Sequence, residues 1–533
     1  MKALNHEDLE DLKGKHFSTD RIFSRQFLWS DTAILVYLSL IKLILHLVAN
    51  WRGGYGYFRD ELYYIACSKH LAAGYVDQPP LSLYILALNR WLLGESLFAL
   101  RFLPAVVGGV TVFLSGLMAR ESGGRRFAQV LAATATIICP SFLAAGSFYS
   151  MNCFDGLFWT LAAYATIRLI KRERPELWIV LGIVLGLGSL NKVGVLWLGF
   201  GLFVGILLSP QRRWLKTPWP WLAGVGAVAL FSPFVYWNLT HDLAHLEFIR
   251  NATSGKYSGL SPLTFLLGQV QIHNPVTLPL WLAGLWFFFA DREGRRFRPL
   301  GWMYVVPCAL LILNRHSKPE YLSAAYPMLF AGGSVLFERW LAAKSVSWIK
   351  PVYVSLLVLG MVLAPIVIPI LPVETYIRYT EVLGIKPFTP EGKKLAELHQ
   401  FYADMFGWEA KAEAVAQVYN RLTPEEKQKC AIFADNYGRC GAIDFFGKAY
   451  GLPDAIGKHN NYWIWGPRDY TGELMIILGG ELADKQQKFE SVEVAGVVSC
   501  KYCMPYENNL RIYLCRKLKV SLKESWPRMK NFS

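Results

Sequence analysis

The hydrophobic pattern changes character along the chain. From about residue 30 to residue 371, apolar runs of 14 to 23 residues alternate with short polar segments, whereas beyond residue 390 the runs shrink to four to seven residues among amphipathic stretches. A helix that crosses the hydrocarbon core needs about 20 apolar residues. Eleven candidates stand near 30–49, 98–118, 127–144, 151–170, 177–190, 194–209, 219–237, 275–290, 299–314, 322–340 and 349–371. The later pattern predicts amphipathic helix near 393–421, helix across 441–450 and strands at 430–434, 474–478, 492–498 and 511–514, together a small α/β domain. Pro365, Pro369, Pro372, Pro387 and Pro390 punctuate the approach to it. The expected organisation is a basic tail over 1–29, a mainly α membrane domain over 30–371, a linker over 372–390 and an extracytoplasmic α/β domain over 391–533.

Composition and charge sharpen this picture. The 533 residues are 53% hydrophobic and only 18% charged, which is too apolar for a soluble chain of this size. The net charge of +15 does not point to nucleic acid, because the charges cluster between apolar runs rather than on one water-facing surface. Short cytoplasmic loops carry the excess of Lys and Arg. One set of alternate segments holds Lys13, Lys15, Arg21 and Arg25, then Arg120, Arg125 and Arg126, Lys171, Arg172 and Arg174, Arg212, Arg213 and Lys216, Arg292 to Arg298, and Arg339 with Lys344. The intervening set holds Asp60, Glu61, Asp77, Glu95 and Asp155. The expected location is the plasma (inner) membrane, multi-pass, with a cytoplasmic N-terminus and an outer C-terminal domain.

The candidate chemistry lies on the acidic side. The first outer loop, 50–97, reads as two amphipathic helices along the membrane surface, one opening at Arg59-Asp60-Glu61 and one entered through Gly74-Tyr75-Val76-Asp77-Gln78-Pro79-Pro80. Asp77 reads first as an N-cap, with Pro80 at helix-start spacing. Asp60 and Glu61 form a pair of carboxylates at the membrane surface, costly unless they meet water, a cation or a substrate. Asp155 sits one turn inside an apolar helix, either a functional group or a carboxylate favoured by the helix dipole. Lys192, Arg315 and Lys318 are cations in outer turns, suited to hold a lipid-linked phosphate or simply to snorkel. His273 at another helix start reads more readily as structural. Cys500-Lys501-Tyr502-Cys503 lacks a second pair at zinc-finger spacing and reads as a structural disulfide. Trp463, Trp465 and Tyr470 read as core aromatics before they read as a sugar platform.

Asp60-Glu61 with Tyr64, followed by Gly74 to Leu81, resembles the first outer loop of the family 39 type glycosyltransferases, which have the GT-C membrane fold and include protein O-mannosyltransferases and the lipid A aminoarabinose transferase. The likeness extends through Asn152 to Asp155, Asn191-Lys192 and Lys318 to Tyr321, about two-thirds of the chain. Gln78 stands where many relatives have His, and Glu320 where an aromatic is frequent. The resemblance implies a polyprenyl-phosphate sugar donor, an acceptor hydroxyl on a glycan, lipid or protein, inversion at the anomeric carbon, and Asp60 as the general base, with Glu61 and Asp155 as further candidate catalytic carboxylates. Tyr64, Asp77, Gln78, Lys192, His273, Arg315 and Lys318 are the candidate substrate contacts; in some members of the family the residue matching Asp155 is implicated in a metal or acceptor site, which makes a divalent metal ion at Asp60 and Asp155 a candidate cofactor. The chemistry needs only a carboxylate to take the acceptor proton and cations to steady the departing phosphate. The rival reading is a transporter or flippase of a lipid-linked sugar, against which stand the gathering of charge on one face and the lack of an internal repeat.

Overall fold

The computed structural model describes residues 28–256, 259–389 and 391–533; the basic positions Lys13, Lys15, Arg21 and Arg25 and the proline at 390 lie outside these. All eleven apolar runs carry a helix. The main ones are α1 (Asp31–Arg52), α4 (Leu97–Glu121), α5 (Arg126–Ile138), α6 (Met151–Arg172), α7 (Glu176–Asn191), α8 (Val195–Leu207), α9 (Trp219–Thr240), α10 (Leu278–Phe289), α11 (Arg298–Asn314), α12 (Tyr326–Ala343) and α13 (Ile349–Leu359), with α2 (Arg59–Lys69) and α3 (Leu81–Leu93) in the first loop. Six helices among the described residues are long and apolar enough to cross a membrane, seven if the bent pair at Val195–Leu207 and Pro210–Lys216 counts as one span. Leu40, Ile41, Ile44, Val225, Val228 and Leu313 are exposed on the flanks of these helices, as lipid-facing side chains are.

Local chemistry explains where the helices start and break. Ser30, Ser96 and Ser150 each accept a backbone N–H of the following turn, the N-cap bond that satisfies an orphan donor. Pro140 interrupts the run at 127–144, so α5 stops at Ile138 and a short helix, Pro140–Ala145, follows. Buried Lys42 of α1 donates to the carbonyls of Phe142 at 3.2 Å and Ile137 at 3.5 Å beside that break. Small residues set the helix spacing: a Cβ on Gly284 of α10 or Gly333 of α12 would run into the facing backbone carbonyl.

The basic segments gather at one end of this bundle, where ion pairs join them: Arg126 with Asp31, Lys171 with Glu121, Arg213 with Glu173 and Arg339 with Asp291. The opposite end carries α2, α3, the N-terminus of α6 and the C-terminal domain.

That domain contains α14 (Trp408–Tyr419), α15 (Tyr437–Phe446) and strands β1 (Cys430–Ala434), β2 (Ile456–Gly457), β3 (Leu474–Leu478), β4 (Phe489–Val498) and β5 (Leu510–Leu518), in the sheet order β2-β1-β3-β5-β4. β1 pairs parallel to β2 and β3, while β5 runs antiparallel to both β3 and β4. β1 and β3 are buried along their whole length, as central strands covered on both faces are. Trp463 and Trp526 exchange indole N–H bonds with each other's carbonyls, and Trp465 stacks on His70, so these aromatics are packing groups.

Three expectations change here. The segment 372–390 holds a helix, Val373–Val382, whose Tyr376 packs on Tyr402. Residues 393–399 are not helical, and only Gln400–Ala403 and α14 fold as helix within 393–421. Cys500 and Cys503 are free thiols, with the Cys503 thiol donating to the Cys500 carbonyl at 3.3 Å.

Candidate active site

The site is organised by α2. The adjacent carboxylates at its N-terminus point to opposite fates. Glu61 is fully buried and accepts four N–H bonds: Arg101 Nε at 2.9 Å and the backbone of Tyr149 at 2.8 Å on one oxygen, Arg101 Nη2 and the backbone of Phe58, both at 2.8 Å, on the other. It thereby ties α2, α4 and the start of α6 together and has no oxygen left for a substrate. The catalytic expectation for Glu61 is corrected to a positioning one.

Asp60 is one-third exposed, with a side-chain exposure of 33%. Its Oδ1 accepts the Tyr437 hydroxyl at 2.9 Å and Arg59 Nε at 3.3 Å. Among the described residues both hydrogen bonds to this carboxylate go to Oδ1, which leaves Oδ2 for another partner. Tyr437 comes from α15 in the C-terminal domain. Burial pushes its hydroxyl well above the usual phenol range, so it remains a donor. Arg59 lies near Asp404 and Glu391, both at 3.6 Å, in a cage of three carboxylates. Burial pushes the Asp404 carboxyl up to about 6 despite the opposing pull of Arg59.

One turn along α2, the Tyr64 hydroxyl accepts the backbone N–H of Met151 at 3.2 Å, which brings the N-terminus of α6 to α2. There Asp155 is buried and pairs with Lys192 at 3.1 Å. Lys192 also donates to Asn152 at 2.9 Å and sits 5.3 Å from the centre of the Tyr321 ring. The turn carrying Arg315, Lys318 and Tyr321 therefore meets the α6–α7 corner. Arg315 is exposed and Lys318 partly exposed. The second oxygen of Asp155 and the side-chain oxygen of Asn191 are buried without a hydrogen-bond partner.

On the other flank of α2, Asp77 accepts the Tyr63 hydroxyl at 2.9 Å. The residue that caps α3 is Pro80, with no side-chain bond, so the N-cap reading of Asp77 is corrected. Asn461 of the C-terminal domain completes this knot, donating to Tyr63 at 2.6 Å and accepting the backbone N–H of Val76 at 3.2 Å. Gln78 is buried, and neither end of its amide has a hydrogen-bond partner. A buried unpartnered amide is costly, and a ligand group would relieve the cost.

His273 does not join the site. Its Nδ1 meets the Gln269 carbonyl at 2.8 Å, its Nε2 the Ser323 hydroxyl at 3.1 Å, and its ring stacks on Tyr326. The substrate-contact expectation for His273 is corrected to a core role. The donor set also does not fit a divalent metal. Asp155 is paired with Lys192 and Asp60 with Arg59, and among the described residues no group of three His, Cys, Asp or Glu side chains converges.

Arg59, Arg101, Asp404, Tyr437 and Asn461 were not legible as site residues. Tyr437 stands 377 positions from Asp60, and no spacing rule links them.

Part of the sequence and the fold of the chain are similar to membrane glycosyltransferases. The profile of the family described as Dolichyl-phosphate-mannose-protein mannosyltransferase matches residues 77–237. In sequence the chain is 24% identical over 312 residues to the lipid A galacturonosyltransferase RgtD of Rhizobium johnstonii, covering 57% of this chain and 64% of the relative. It is 31% identical over 296 residues to the undecaprenyl phosphate-alpha-4-amino-4-deoxy-L-arabinose arabinosyl transferase of Pseudomonas aeruginosa (strain UCBPP-PA14), covering 52% of this chain and 53% of the relative. The matches thus span under two-thirds of these curated relatives. In fold it is similar to ArnT from Cupriavidus metallidurans bound to undecaprenyl phosphate, with a TM-score of 0.60 at 13% identity, over 90% of this chain and 97% of that one. The archaeal oligosaccharyltransferase AglB from Archaeoglobus fulgidus aligns with a TM-score of 0.51 at 12% identity, over 81% of this chain and 65% of that one.

Proposed function

We propose that this protein moves a sugar from a polyprenyl-phosphate donor to an acceptor hydroxyl on a glycan, lipid or protein, at the extracytoplasmic face of the plasma (inner) membrane. The observation that carries this is Asp60: a partly exposed carboxylate, clamped on one oxygen by Tyr437 and Arg59 and open on the other. The relatives' names, sugar transferases that draw on undecaprenyl phosphate among them, agree in chemical class.

In this reading the acceptor oxygen attacks the anomeric carbon while its proton passes to Asp60 Oδ2. The bond from that carbon to the phosphate oxygen breaks, and polyprenyl phosphate departs from the opposite face, inverting the centre. Lys192, held by Asp155 and Asn152, steadies the negative charge that grows on the leaving phosphate, with Lys318 and Arg315 on the adjoining turn. The buried amide of Gln78, without a partner of its own, is a further candidate contact for the donor headgroup.

The test is transfer of radiolabelled sugar from purified polyprenyl-phosphate donors to a membrane extract. Asp60→Asn is expected to lower transfer by about 10²- to 10⁴-fold, the usual worth of a general base, at unchanged folded yield. Equal transfer by the variant removes Asp60 from the role. Movement of labelled lipid across reconstituted vesicles without any transfer selects the flippase instead.

A further inference from the structure

Away from this centre, two ends of the chain deliver cations to one spot. Lys69 closes α2 and meets α15 near its C-terminal end, and Lys448 lies in the turn Gly447–Tyr450 that follows α15, four positions beyond Asp444. Lys69 also reaches the backbone carbonyl of Asp444 at 3.4 Å. Arg90 of α3 adjoins the pair, donating to the Ser68 hydroxyl at 2.7 Å. The nearby acids are already engaged: Glu95 by Arg90, and the buried Asp444 carboxyl by the Tyr462 hydroxyl and the Ala455 N–H. Burial, and after it the nearness of Lys448 and Arg90, brings the Lys69 ammonium down to about 8. Cations brought to one spot repel each other, and an anion bound there turns that repulsion into charge-assisted bonds.

The surface beside them says which anion. α3 exposes Tyr84, Leu88, Trp91 and Leu92, spaced i, i+4, i+7 and i+8 on a single helix face, and Trp91 is 79% exposed. Leu71, just past Lys69, is exposed as well. Beside a bundle of membrane-spanning helices, an exposed apolar face on a helix that also carries Arg90 matches the boundary between headgroups and acyl chains. Inorganic phosphate would satisfy the cations but leave the apolar face bare.

We infer that Lys69 and Lys448, flanked by Arg90, hold the phosphate of an anionic phospholipid whose acyl chains lie along the Tyr84–Leu92 face of α3. The site sits nine residues along α2 from Asp60, about 13 Å of helix, and does not depend on sugar transfer. Since Lys69 and Lys448 come from the two halves of the molecule, the bound lipid would tie the C-terminal domain to α2 at a point remote from Tyr437.

Native mass spectrometry of the full-length protein in detergent tests this, with phosphatidylglycerol and phosphatidylcholine of identical chains and with inorganic phosphate as competitor. The parent is expected to retain phosphatidylglycerol in preference. Lys448→Gln should weaken that retention about fivefold and the double variant Lys69→Gln/Lys448→Gln by tenfold or more, at roughly one modest increment per cation, with phosphatidylcholine unaffected. Lys448 is exposed on a surface turn, so its single variant remains informative if the double one folds poorly. Equal retention of the two lipids by the parent, or undiminished phosphatidylglycerol on Lys448→Gln, overturns the inference. Inorganic phosphate that binds as tightly as the lipid also overturns it and assigns the pair to a soluble anion.

Discussion

At the scale of single residues, Asp60 and Glu61 show how two identical groups, adjacent in sequence, part company. One retains an open oxygen; the other is spent on four N–H donors. Removing one partner of a buried pair leaves a charge that nothing solvates, at a cost of about 3–5 kcal/mol. Arg101→Met should therefore sharply lower folded yield and melting temperature in detergent, and so should Glu61→Gln, which leaves the Arg101 charge buried and turns an amide NH2 toward two of the N–H donors. Equal and small losses in both would show that the pair contributes little. None of this could be read from the doublet itself, because Arg101 lies 40 positions away inside an apolar run. Asp155 and Lys192 were legible because each interrupts such a run, and intramembrane charge rarely persists without a partner. His273 interrupts one too, but its neighbours supply both ring nitrogens with partners.

At the scale of elements, the apolar runs were the most legible feature, since a helix or central strand leaves little choice about burial. Strands β1 and β3 match the sequence expectation residue for residue. The misread segments are those where long-range contacts override local preference. The stretch after Glu391, rich in helix formers, stays extended; the Gln400 N–H reaches the Phe388 carbonyl at 3.2 Å, and the Gln400 side chain bonds Thr389 and Glu391. The contact of α2 with α15 was equally hidden. It depends on Gly441, where a Cβ would stand 2.8 Å from the backbone of Leu62. Gly441→Val should push the two helices apart, break the Tyr437–Asp60 bond, and open the domain boundary to limited proteolysis while most of the membrane bundle stays intact. Unchanged proteolysis and transfer would mean that the contact is not what seats the domain.

For the whole molecule, the C-terminal domain carries its own pH signature. Burial raises Asp444 to about 7 and Asp404 to about 6. A carboxyl whose folded value lies above its unfolded value near 3.9 binds more protons in the folded state. Its contribution is therefore complete below about pH 4 and fades as pH rises through 6 to 7. Buried Glu507, held low by Arg439 and Lys411 against the cost of burial, has the opposite sign and matters only on the acid side. The domain should melt at a higher temperature at pH 5 than at pH 8, and Asp444→Asn should flatten that slope. A domain that gains stability steadily from pH 5 to pH 8 would contradict both shifts.

The bond between Tyr437 and Asp60 also sets a clock. Asp60 is synthesised with the first loop, but its clamp Tyr437 is 377 residues downstream. At about 5–20 residues per second of synthesis, the carboxylate waits roughly 20 to 75 seconds for the tyrosine that orients it. A nascent chain can thus thread its helices into the bilayer with the Tyr437–Asp60 bond still unmade.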